Sequence, residues 1–197
     1  MKASMNIVFN LFLYLIICCP LFLLLPDNIG LISFVFNNKK LIVFCSKVLD
    51  GDTIIFDKKY YGRLAYIDAP EMKQRSVGKD NVPVGELAYK YLKQKIEGKF
   101  IKIKIIEKDK YGRYVIRIWI WNDKKRENNK VEKLGDINLQ IVEDGYAVLY
   151  TFAQFESLEE KMRYVRGYFS AYIGGKGVWS SSGLMVPYKY RKIKRKK

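Results

Sequence analysis

The sequence predicts an α+β fold: a small five-stranded Greek-key barrel with about three helices, preceded by an N-terminal apolar segment. Three observations predict it. FIKIKII, Phe100 to Ile106, alternates with period two, placing Ile101, Ile103 and Ile105 on one face and Lys102 and Lys104 on the other. Val84, Ala88, Tyr91, Leu92 and Ile96 recur at helical spacing, and Gly98 closes that helix. The nineteen residues from Ile7 to Leu25 are interrupted only by Asn10 and Pro20.

Each element follows in order. Leu41 to Val48 is a run of apolar and β-branched residues and reads as a first strand. DGD at Asp50 to Asp52 is a turn, after which Thr53 to Phe56 resumes as a second strand. Gly62 to Ile67 is read as a third strand, stopped by Pro70. The helix Gly85 to Glu97 comes next, then the alternating fourth strand. Tyr114 to Trp121 is a fifth strand opposed to it across the turn DKYGR. Asn122 to Gly135 is a charged loop expected to project. A helix starts at Asp136, a good N-cap, and ends at Gly145; another runs from about Leu158 to Tyr172. Five strands with a helix inserted after the third specify a barrel of the OB type. The expected divisions are residues 1–36, an export signal or membrane anchor; 39–182, the barrel domain; and 183–197, a basic C-terminal tail.

The leading segment is an address rather than part of the barrel. Lys2 and the terminal amine flank it with positive charge, and residues 7–25 are long enough to span a bilayer. No small-x-small cleavage pattern follows cleanly, so the chain is read as exported: secreted, periplasmic or membrane-anchored.

Charge and composition narrow the chemistry. Of 197 residues, 36 are basic and 20 acidic, a net charge of +16. Seven basic residues lie in Lys189 to Lys197, yet the rest of the chain stays strongly positive. Such a surface concentrates polyanions, which favours a nucleic-acid partner; a generally lysine-rich composition would give the same charge. The terminal run either holds a polyanionic substrate or anionic lipid, or merely solubilises. The chain has no histidine. That excludes a Ser-His-Asp triad, a Cys-His pair, His-ligated zinc and an imidazole base. Hydrolytic chemistry must then use carboxylates, Arg, Lys, Tyr or a hard metal ion. Three scattered cysteines support neither a disulfide framework nor a thiolate metal site.

Three short segments carry candidate chemistry. DGDT, Asp50 to Thr53, places two carboxylates two residues apart, on one face if the backbone stays extended. RLAYIDAPE sets Arg63 at the start of a strand and Asp68 and Glu71 around Ala69-Pro70. On an ideal strand Arg63 and Asp68 have opposite parity, so alternation alone does not join them. DKYGR, Asp109 to Arg113, is a tight hairpin with Arg113 opening the next strand. Each motif alone is equally explained by turn chemistry or a solvated loop.

Taken together, VLDGDTI, RLAYIDAPE, DKYGR, INLQIVEDGYA and GVW, in this order, resemble the staphylococcal-nuclease (thermonuclease) family over roughly Leu41 to Trp179. The resemblance implies an OB-fold barrel with added helices and a calcium-dependent phosphodiesterase acting on DNA and RNA. It implies that Asp52 and Asp68 bind Ca²⁺ through carboxylate oxygens and Ala69 through its backbone carbonyl, where the founding member carries threonine. Asp50 would hold a metal-bound water. Glu71 would act as general base or orient the attacking water, and Arg63 and Arg113 would grip the scissile phosphate. Lys110 and Tyr111 would contact the substrate. Tyr150 and Trp179 are better assigned to packing, Trp179 as an anchor for the last helix. No protein partner is implied.

Elementary chemistry agrees with that implication. Hard oxygen donors on a flexible loop suit calcium. A phosphodiester repels an attacking nucleophile, and a divalent ion with two guanidiniums offsets charge that grows in the transition state. A noncatalytic nucleic-acid-binding module of the same fold, tethered to a membrane, is the alternative.

Overall fold

The computed structural model describes residues 40–121, 135–150, 152–181 and 184–195. The address segment and the loop 122–134 lie outside the described residues. Among the described residues no helix is long and apolar enough to cross a membrane.

Five strands close into a barrel: β1 (Lys40–Val48), β2 (Thr53–Phe56), β3 (Tyr60–Leu64), β5 (Phe100–Lys108) and β6 (Tyr114–Ile120). Their order around it is β1-β2-β3-β6-β5, and β5 returns to pair with β1. Every pairing is antiparallel except β3 with β6, which is parallel. Closure removes the open edges that an isolated sheet of this size would expose. The period-two reading of the fourth strand holds: Ile101 and Ile103 are fully buried, while Lys102 and Lys104 point away from the core. In β1 a bulge between Cys45 and Lys47 resets the alternation, so that Cys45 and Val48 both face inward.

The third strand is shorter than the sequence reading. β3 stops at Leu64, and a turn at Ala65–Tyr66 separates it from the two-residue β4 (Ile67–Asp68). Tyr66 has a left-handed backbone, φ +69°. A bulky side chain takes that conformation at a cost and needs tertiary contacts to hold it. Its ring supplies them, stacking on Phe155 at 4.4 Å and meeting Tyr164 edge-on. β4 then leaves the barrel sheet and pairs with β7 (Val148–Leu149).

The helices are α1 (Val84–Ile96), α2 (Ile137–Glu143), α3 (Leu158–Ile173) and α4 (Pro187–Lys194), with a 3₁₀ turn at Gly177–Ser180. α1 buries Val84, Ala88, Leu92 and Ile96, the i, i+4 stripe seen in the sequence. The Asp136 side chain accepts from the Leu139 amide and caps α2 as expected. Two residues on, Asn138 is fully buried. Its amide nitrogen donates to the carbonyls of Ala65 and Ile116, and its oxygen accepts from the Ile118 amide. One side chain thus seals the turn after β3 to β6. Trp179 packs edge-on against Tyr168 and Tyr172 of α3, as an anchor should. The fourth helix is the departure: it forms within the segment that the sequence marks only as a basic tail.

Candidate active site

The site is built where the β1–β2 turn, the end of β3 and the β4 exit meet. Backbone pairing sets Arg63 opposite Thr53 on β2 and Val115 on β6, and the Leu64 amide donates to the Asp52 carbonyl at 2.8 Å. This puts Arg63 beside the DGD turn. The left-handed Tyr66 then swings the chain so that Asp68 returns to the same place. That turn resolves the parity problem between Arg63 and Asp68.

The two carboxylates share one cation. Arg63 Nη1 donates to Asp52 Oδ1, and Nη2 donates to Asp68 Oδ1 at 3.0 Å. Both acids are nearly sealed from solvent, at 3% and 2% exposure. Asp52 is fixed further by the Ala69 amide on Oδ2 at 2.8 Å and the Thr53 hydroxyl on Oδ1 at 3.0 Å. Asp50 Oδ1 accepts from the Asp52 amide at 2.9 Å, which locks the turn. Burial and the neighbouring Asp52 push the Asp50 carboxyl up to about 7. Burial likewise raises Asp68, with hydrogen bonds from Arg191 pulling the other way. Arg63 is raised despite its own burial, because Asp52, Asp68 and Asp50 surround it.

Two glycines allow this crowding. A Cβ on Gly51 would sit 2.6 Å from the Ala69 Cβ and 2.8 Å from that of Ala88. A Cβ on Gly85 would lie 1.8 Å from the Glu71 carbonyl oxygen, so the first turn of α1 presses directly on the Glu71 loop.

Glu71 and Arg113 both line a cleft of about 850 Å³, lined also by Arg63, Lys110, Tyr111 and Tyr150. In the β5–β6 hairpin Asp109 Oδ1 accepts from the amides of Tyr111 and Arg113 at 2.9 and 3.0 Å. Asp109 Oδ2 takes Arg113 Nε at 2.8 Å and Nη2 at 2.7 Å. Gly112, φ +83°, closes the turn. Tyr111 is 67% exposed, with the Arg113 guanidinium 5.5 Å and the Lys110 ammonium 5.2 Å from its ring centre. Tyr150 is a correction: it is exposed beside Phe152 at the cleft rather than packed away.

Two residues that contact the site acids and their loop escape sequence reasoning. Arg191, on α4, reaches into the site: Nη2 donates to Asp68 Oδ2 at 2.7 Å, and Nη1 to Asp68 Oδ1 at 3.0 Å and Glu71 Oε1 at 2.9 Å. It is one of seven basic residues in its stretch, and nothing in their order singles it out. Gln74 is fully buried; its Oε1 accepts from the Glu71 amide at 3.3 Å and its Nε2 donates to the Met185 carbonyl at 2.5 Å. It ties the Glu71 loop to the strap leading into α4. A polar residue in a loop gives no sequence signal for that.

Among the described residues no three His, Cys, Asp or Glu side chains cluster as a ready cage for a metal ion. The donor chemistry nevertheless suits a hard cation. Asp52 and Asp68 converge closely enough to share one positive group, and that group is now a guanidinium.

Comparison with known proteins agrees with this architecture. Residues 62–181 match the family described as staphylococcal nuclease homologue. The chain belongs to that family. It is 38% identical over 137 residues to a protein named probable endonuclease LCL3 from Candida glabrata, covering 66% of this chain and 47% of that one. The protein of the same name from Komagataella phaffii is 30% identical over 142 residues, 70% of this chain and 56% of the relative. That from Candida tropicalis is 28% identical over 192 residues, 82% and 76% respectively. The chain therefore spans about half the length of the first two relatives.

Proposed function

We propose that this chain is an endonuclease, a phosphodiesterase that hydrolyses the backbones of DNA and RNA with a bound calcium ion. The observation that carries the reading is the shared Arg63: two buried carboxylates and a phosphate-gripping side chain converge at one rim of a basic cleft. Asp52, Asp68 and the Ala69 carbonyl would hold the ion, with Asp50 bracing Asp52. When bound, the ion supplies a Lewis acid that offsets charge on the phosphoryl oxygens. Arg63 and Arg113 bind non-bridging oxygens and stabilise the transition state. Arg113 cannot give up a proton at ordinary pH, so its part is electrostatic. Glu71, at the cleft wall, takes the proton from the attacking water. Lys110 contacts backbone phosphate, and Tyr111 offers a face on which a base stacks. Grip on phosphate reads no base edges, so cleavage is weakly selective for sequence.

The apolar residues 7–25 support a further part of the reading, that the chain is exported and either released or held at a membrane. One observation favours a second function, a noncatalytic nucleic-acid-binding module. Glu71 Oε1 and both Asp68 oxygens are engaged by Arg191, so the base and the ion ligand are not open to substrate.

One experiment separates the two. Single-stranded DNA is incubated with the purified chain across a calcium titration, then with chelator. The nuclease reading expects cleavage that chelator abolishes, and Glu71→Gln that binds DNA normally but cuts roughly 10²- to 10⁴-fold more slowly. A gel shift with no cleavage under any divalent ion establishes the binding module instead.

A further inference from the structure

Arg191 is a second guanidinium on Asp68, beside Arg63, and takes both of its carboxylate oxygens. Its guanidinium sets two parallel hydrogen bonds on Asp68, the bidentate fork of a strong arginine–carboxylate pair, and a third on Glu71. Asp68 is 2% exposed, so its pairing is only weakly screened by solvent. The start of α4 is fixed by the buried Pro187 and by the Gln74 bond to Met185, but the rest of the helix has weaker ties. Its N-cap, Val186, makes no side-chain bond, and the Tyr190 hydroxyl reaches the Lys73 carbonyl only at 3.4 Å. Eight residues of helix are marginal in water without tertiary support.

We propose that Arg191 is a built-in competitor for the divalent cation: the ion gains Asp68 by displacing the Arg191 guanidinium, and α4 leaves the cleft with it. This rests on the reading of Asp52 and Asp68 as ion ligands. The physical ground is that one carboxylate cannot give the same oxygens to a bidentate guanidinium and to a metal ion. A dication held nearby also repels the guanidinium. Departure of Arg191 frees Glu71 in the same event, because Nη1 bridges the two acids. With the helix docked, the ion ligand and the base are both blocked; with the ion bound, both are released. Differential affinity for the two arrangements makes α4 a strap that responds to the ion.

The test follows cation binding directly. Calcium affinity of the full chain is measured by calorimetry for the native protein, Arg191→Gln and Arg191→Lys, while amide exchange by mass spectrometry follows residues 187–194. Arg191→Gln is expected to bind calcium about tenfold or more tightly, since one charge-assisted competitor has gone. Arg191→Lys, which keeps the charge but loses the fork, is expected to fall between the two. Saturating calcium is expected to speed exchange across α4 in the native protein and to leave the barrel strands unchanged. Equal affinity in native protein and Arg191→Gln overturns the proposal and leaves the ion site standing. Unchanged exchange across α4 at saturation also overturns it. If calcium binds neither protein, the competitor and the ion-site reading both fall.

Discussion

Arg117 and Arg191 each stand between carboxylates, yet the two are held by different means. Arg117 lies in the barrel wall with its side chain 11% exposed, and donates to Asp136 Oδ2 at 2.7 Å and to Glu160. Tyr164 also donates to Asp136, at 3.1 Å, and the Glu156 amide supports Glu160 at 3.2 Å. The guanidinium packs besides over Trp119 at 5.0 Å and Tyr66 at 5.7 Å. This network joins β6, α2 and α3 and is largely buried. Arg191 is 29% exposed at the cleft, comes from the end of the chain, and touches only acids within its site. The same ion-pair chemistry is enclosed in one place and open to the cleft in the other, where the proposed exchange with a cation would act. Burial and aromatic packing around the cation make the difference.

The largest expected effect that sharpens this contrast is Arg117→Ala. It strands Asp136 and Glu160 without a cation and is expected to cost about 3–5 kcal/mol in urea unfolding. Gly85→Ala comes next. A methyl group there meets the Glu71 carbonyl, so roughly 1–3 kcal/mol of overpacking is expected. A lower thermal midpoint, together with a fall in cleavage rate larger than the stability loss explains, would check it. Arg191→Gln is expected to be the smallest, within about 1 kcal/mol by the same urea measurement, since buried Asp68 keeps Arg63 as its partner and Glu71 is open to water. If Arg191→Gln destabilises as much as Arg117→Ala, the two networks are alike and the contrast fails.

Much of the fold could be read from periodicity. Ile101 and Ile103, the α1 stripe and the Asp136 cap each follow from local side-chain chemistry that tertiary packing did not override. The acids that converge at the cleft could be named as candidates, because the DGD turn and the Asp68-Ala69-Pro70-Glu71 segment set carboxylates where strands break off. The geometry joining them was not legible. It depends on the left-handed Tyr66, which Phe155 and Tyr164 hold from almost a hundred residues away, and no local propensity encodes that. The Cys45–Lys47 bulge is invisible for the same reason. Arg191 was hidden differently: a lysine- and arginine-rich stretch looks uniform, and only docking distinguishes one guanidinium from six neighbours.

The Gln74 carboxamide has one end on the Glu71 backbone and the other on the Met185 carbonyl. Movement of the strap at Met185 is therefore transmitted through a sealed side chain to the Glu71 loop, in addition to the direct bond from Arg191.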